Sequence, residues 1–261
     1  MASLERLGPA WLIVPAALAL VTGCATREPT PSADPVPRQE ARSRYGNGPF
    51  YEVHGRRYQV MAMSDGYKER GVASWYGKKF HGKLTSSREP YDMYAMTAAH
   101  KTLPLPTYVR VRNLRNNKSA VVRVNDRGPF VANRIIDLSY AAALRLDIVK
   151  DGTGLVEVTA LGFDEARPEA TLIAAAAPVE VTAETRLYVQ VGAFGDEENA
   201  RRRFAMLQQG GVGPAFVDED ATSSPALYRV RIGPIADVMQ YDSIVLRLQD
   251  LGISDAHLVR E

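Results

Sequence analysis

From Asp164 to Thr185 the chain reads DEARPEATLIAAAAPVEVTAET, a run of Ala, Pro, Glu and Thr without an apolar period. Such a run cannot supply a core, and any short helix over Thr171–Ala177 is stopped at Pro178. It therefore divides the 261 residues into two small folding units, each of which must close its own apolar interior. The one cysteine, Cys24, cannot form an internal disulfide, so neither unit can rely on a covalent staple. With four scattered His, at 54, 81, 100 and 257, the chain has no metal-ligand spacing and no cofactor is expected. A net charge of +2 gives no electrostatic footprint for nucleic acid.

Upstream of the divider, short apolar runs alternate with Gly, Pro and Asn. Tyr108-Val-Arg-Val-Arg112 and Ala120-Val-Val-Arg-Val124 read as strands joined by the polar turn Asn113–Lys118, and Val156–Leu161 as a closing strand. Asp137–Leu146 is the one helical stretch, with Asp137 or Ser139 as its N-cap. Many short strands with a single helix predict a compact β-barrel over 67–163. Downstream, Leu187–Ala193 and Tyr228–Ile232 alternate as strands. Asp196 caps a helix reaching about Gln209, Ile235–Leu251 is a second helix, and Ala256–Val259 a last strand. The implied order over 186–261 is β-α-β-β-α-β, a small ferredoxin-like sandwich.

The N-terminus carries the apolar run Trp11–Val21, too short to span a bilayer as a helix and of the length of a signal-peptide core. Val21-Thr22-Gly23-Cys24 follows, the small-residue pattern before a lipidated cysteine. Bacterial lipoproteins share this pattern. The resemblance implies a signal peptide over 1–23, an acyl anchor on Cys24 and a protein facing the periplasm from a membrane. Ala25-Thr26 lacks an acidic residue, which favours the outer membrane. The Pro- and Arg-rich segment that follows predicts a flexible tether over 24–66.

The densest polar motifs fall in the first unit: Gly71-Val-Ala-Ser-Trp-Tyr-Gly-Lys-Lys-Phe-His-Gly82, Thr97-Ala-Ala-His-Lys-Thr-Leu-Pro104, Val124-Asn-Asp-Arg-Gly-Pro-Phe130 and Arg134-Ile-Ile-Asp-Leu-Ser139. Together and in this order they resemble the double-psi β-barrel domain of the rare lipoprotein A family. YVQVGAF and YRVRIGPI resemble a sporulation-related (SPOR) domain. The resemblance implies an endolytic lytic transglycosylase that cuts peptide-free peptidoglycan strands at the division septum. Its implied partners are those strands, the outer membrane and division-site proteins.

The reaction needs few groups. A carboxyl protonates the glycosidic oxygen, and the sugar's own 6-hydroxyl then attacks C1 to leave a 1,6-anhydro end. Candidate catalytic residues are Asp126, on a turn before Arg127-Gly128-Pro129, and Glu89, Asp137 and His100, the last as a polar or cationic neighbour. Trp75, Tyr76, His81 and Arg127 are candidate substrate contacts in the barrel, since apolar sugar faces stack on aromatic rings. In the second unit, alternation puts Tyr188, Gln190, Arg229 and Arg231 on one open sheet face, suited to a sugar chain. Arg88 stands where the family has glycine. The position is expected to take positive φ, and Arg88 to pair with Glu89. Two other functions fit the same motifs: a non-catalytic wall binder that leaves no anhydro ends, and a division scaffold acting through the second unit alone.

Overall fold

The computed structural model describes residues 32–162, 186–220, 222 and 225–261. The signal segment, Cys24 and the dividing run lie outside the described residues. The first unit holds β1 (Phe50–Val53), β2 (Arg56–Gln59), β3 (Lys68–Tyr76), β4 (Thr97–His100), β5 (Thr107–Asn113), β6 (Ser119–Asp126), β7 (Arg134–Ser139), α1 (Tyr140–Arg145) and β8 (Thr153–Ala160). Strands β3-β7-β4-β6-β5-β8 close into a barrel, with β3/β7 and β4/β6 parallel and the other neighbours antiparallel. Alternation explains the closure: Val109, Val111, Val122, Val124, Ile136, Leu138, Val156 and Val158 all point inward and are fully buried. Helix α1 contributes Ala141, Ala142 and Ala143 to the same interior.

Two local readings change. The helix begins at Tyr140, because Ser139, one of the two expected caps, is the one that caps it, its hydroxyl accepting from Ala142 N at 3.2 Å. Asp137 belongs to β7 and is not a cap. The expected tether is also ordered from Ser32 onward. Ser32 N donates to Tyr94 O, Val121 N to Asp34 Oδ2 and Leu105 N to Asn47 Oδ1, and Arg123 binds both oxygens of Glu40. Its Pro-rich composition removes backbone donors but leaves side chains that anchor the strap to the barrel. The strap ends in the β1–β2 hairpin, which turns through His54 and Gly55, both at positive φ.

The second unit holds β9 (Leu187–Phe194), α2 (Glu197–Gln209), β10 (Ala215–Asp220), β11 (Leu227–Ile232), α3 (Val238–Asp250) and β12 (His257–Arg260). The element order is the expected one, in an antiparallel sheet β10-β11-β9-β12. Asp196 caps α2 through Glu198 N and Asn199 N, and Asp237 caps α3 through Gln240 N. The units dock on each other. Val72, Leu114 and Leu155 of the barrel pack in the same apolar cluster as Ile232, Ile244 and Leu258, and Arg134 makes a bidentate pair with Asp242, both contacts 3.0 Å.

Candidate active site

In β4, Ala99 pairs with Asp126 of β6 on one side and with Asp137 of β7 on the other, and Asp137 pairs with Ser74 of β3. Ser74, Asp137, Ala99 and Asp126 therefore form a row across four strands. Neighbours in register face the same way, so two aspartates two strand spacings apart, roughly 10 Å between Cα atoms, look out over an alanine methyl. Gly128 passes above that methyl at φ 143°. A Cβ built on it would sit 3.7 Å from Ala99 Cβ and 3.8 Å from Asp137 Oδ2. The turn after Asp126 is thus laid across the row.

The two carboxyls sit in different surroundings. Asp126 Oδ1 accepts from Ser86 N, Ser86 Oγ and Arg127 N, each at 2.7 Å. Those donors fix the carboxyl and leave its chemistry to Oδ2. Asp137 is raised above the ordinary aspartate range. Burial is the main cause and nearby Asp126 adds to it; the Ser74 hydroxyl donating to Oδ1 and the Lys101 charge oppose it without reversing it. The phenol of Tyr76 is pushed well up by burial, with Asp126, Tyr91 and Asp137 adding to the effect, so it lies in the field of both carboxylates.

Glu89 stands aside from this row. Its carboxylate accepts from Arg123 at 2.7 and 3.0 Å and from Asn125 at 2.8 Å. Burial raises it, but Arg123 and Asn125 outweigh burial and hold it below its usual range. Arg88 is not its partner. Arg88 takes φ 70°, as expected of the family's glycine, and that backbone turns its guanidinium over the Tyr45 ring at 5.4 Å.

His100 lies in the barrel wall, 2% exposed. Its Nδ1 accepts from Thr102 N and Leu103 N, so the proton is on Nε2, facing the Tyr67 hydroxyl at 2.8 Å. Burial, with Arg127 and Lys101 adding, pushes its pKa down to about 3, so the ring is neutral, not cationic. The loop that it orders supplies the Leu103 carbonyl, which accepts from Arg127 at 2.5 Å. The Gly46 carbonyl and Asn47 amide oxygen accept from the same guanidinium. His100 and the strap thus position the Arg127 end of the aspartate turn.

The other candidates divide. Tyr76 is stacked on Tyr91 at 4.1 Å, with Phe80 at its edge, and Trp75 packs on the barrel core and on Tyr140. Neither ring offers two free faces. His81 is exposed and its Nδ1 accepts from Met93 N. In the second unit Tyr188, Gln190 and Arg231 are buried. Asp218 and Glu261 reach over to Arg231, and Asp220 pairs with Arg229. The face expected to be open is partly closed by its own carboxylates, which short-range alternation could not reveal.

A lytic transglycolase family model matches residues 68–159, and a SPOR domain model matches 183–260. The chain is 39% identical over 226 residues to the endolytic peptidoglycan transglycosylase RlpA of Vibrio cholerae, covering 86% of this chain and 81% of that protein. The chain belongs to the RlpA family. The RlpA of Pseudomonas aeruginosa strain UCBPP-PA14 is 37% identical over 254 residues, covering 77% of this chain and 74% of that protein. The crystal structure of the RlpA SPOR domain from Pseudomonas aeruginosa matches 29% of this chain and 99% of that one, at 29% identity and TM-score 0.27. The lytic transglycolase match includes every barrel residue of the row, Ser74, Ala99, Asp126 and Asp137. A hollow of about 610 Å³ between the barrel and α3 contains none of these residues.

Proposed function

We propose that the chain is an endolytic lytic transglycosylase of peptidoglycan, and that Asp126 and Asp137 divide the proton work. The carrying observation is the row itself: two carboxyls flank Ala99, and one of them is raised by burial. Asp137 gives its proton to the glycosidic oxygen that follows N-acetylmuramic acid. As the bond from C1 breaks, the sugar's 6-hydroxyl closes on C1 and its proton passes to Asp126 Oδ2. No water enters, and the product is a 1,6-anhydromuramyl end. The proton then returns from Asp126 to Asp137 before the next turnover. Glu89, neutralised by Arg123, and His100, buried and neutral, act as positioning residues.

The SPOR domain at 186–261 supports a cell-envelope protein that meets peptidoglycan at the septum. Arg229, Arg231, Gln190 and Tyr188 are its proposed glycan contacts, reached when Asp218 and Glu261 give way. Cys24 is the proposed acylation site, placing the barrel at 67–163 on the periplasmic side of the outer membrane. Trp75, Tyr76, His81 and Arg127 remain proposed substrate contacts, Tyr76 and Arg127 through the geometry around the aspartates. The deciding experiment digests peptide-free glycan with the purified protein and analyses the ends by mass spectrometry. Anhydromuramyl ends are expected. Binding without new ends would leave the wall-binder reading in its place.

A further inference from the structure

The aspartate turn runs directly into a surface of which the chemistry above uses only Ser86 and Arg127. Phe130, two residues beyond Gly128, is 37% exposed. Its ring packs on Tyr51 and Tyr58 of the β1–β2 hairpin, with centroids 6.2 and 5.7 Å away, and those two rings stack at 5.2 Å. Phe130 stands as a ridge between two hollows. One, about 390 Å³, includes Ser86 and Arg127, the two residues whose donors hold Asp126. The other, about 320 Å³, includes Arg56, Tyr58, Lys101 and Asn133. The first hollow adjoins the turn that carries Asp126, and Phe130 lines both.

The surface is cationic as well as aromatic. Arg56 lies 5.6 Å above the Tyr58 ring and Arg127 5.8 Å above Tyr51. Arg127 spends its donors on carbonyl and amide oxygens, and Lys101 Nζ donates to the Arg134 carbonyl. Among the described residues none of the three cations makes an ion pair. Asp137 and Glu69 act on Lys101 only through space. An unsubstituted neutral glycan has no group that needs such charge. Peptidoglycan has one: the lactyl group of muramic acid ends in a free carboxylate once its peptide is gone, and in a neutral amide while the peptide is attached.

We propose that the Phe130 ridge and its two hollows are a subsite beside the cleavage point, where a sugar stacks on Phe130 while Arg56 and Lys101 receive the free lactyl carboxylate of a peptide-free muramic acid. The proposal rests on peptidoglycan being the substrate. What it adds is the side chains through which the barrel, independently of the C-terminal domain, reads the missing peptide.

The test uses the full chain and soluble peptide-free glycan, either native or with its muramyl carboxyls converted to methylamides. Arg56→Ala and Phe130→Ala should each raise KM on native chains about tenfold with kcat within a factor of two. Amidation should raise the wild-type KM similarly, and Arg56→Ala should add nothing on amidated chains. Arg56 is exposed, so its variant folds even if Phe130→Ala does not. Equal wild-type KM on both substrates, or unchanged KM in Arg56→Ala, overturns the subsite. If the wild type cuts neither substrate, the transglycosylase reading fails instead. Calorimetric binding of the two chains to wild type and Arg56→Ala then decides the subsite by itself, the C-terminal domain being common to both proteins.

Discussion

Asp137→Asn and Asp126→Asn each keep the outline of the side chain and remove its proton. Each should lower the rate of anhydromuramyl formation by about 10² or more with circular dichroism unchanged. Full activity in either variant removes that residue from the proposed pair. Ser74→Ala gives a finer test. The Ser74 hydroxyl stabilises the ionised form of Asp137, so losing it raises Asp137 further. The acid then stays protonated to higher pH, and the alkaline limb of the rate profile should move up. His100 predicts a stability effect. Its folded pKa is about 3 against 6.5 for the free side chain, so its contribution is complete above 6.5 and is lost as pH falls towards 3, at about 1.4 kcal/mol per pH unit. Thermal melts across that window should show a shallower loss for His100→Gln than for wild type. At this scale the sequence was half legible. Motifs singled out Asp126, Asp137, Glu89 and His100, but which of them meet depends on Ala99 having an aspartate on each side. Pairing of that kind joins residues far apart in the chain and leaves no local signature.

The turn at Arg88 shows an element overriding a residue's preference. A left-handed non-glycine residue costs about 1 kcal/mol, and Thr85 N to Glu89 O and Arg88 N to Thr85 O lock the turn around it. Arg88→Gly should raise the barrel's melting temperature by a few degrees, less what the contact with Tyr45 contributed, and leave cutting intact. A lower melting temperature would mean that the ring contact outweighs the strain. Strands and helices were largely readable, since alternation and the cap at Asp196 are local signals. The hairpin at 50–59 was not, although FYEV and RRYQ flank the His54-Gly55 turn. Its neighbours are Pro- and Arg-rich, and composition averaged over 24–66 hid a short pattern. Glu40 was invisible for a related reason. It is held down to about 2, chiefly by its bond from Arg123, a partner 83 residues away.

At the scale of the whole molecule, the division into two units was legible, but their docking was not. Val72, Leu114 and Leu155 read as ordinary barrel residues, and nothing local says that they pack against a second domain. Asp242→Ala removes the partner of Arg134, whose charge bears on Asp137 only through space. It should raise hydrogen exchange along α3 and β12 while activity on short soluble chains stays within a factor of two. Unchanged exchange would mean that the apolar contact alone carries the docking. The ordered strap also sets a length. Ser32 is already bonded to Tyr94, so only the eight residue steps from 24 to 32 separate the proposed acylation site from the folded body. Fully extended, they reach about 26–29 Å. Anchored there, the catalyst would work on a short leash: its radius of action about the lipid would be smaller than the 43-residue span of 24–66 implies. Glycan further from the membrane would then come within reach only when the wall itself comes closer.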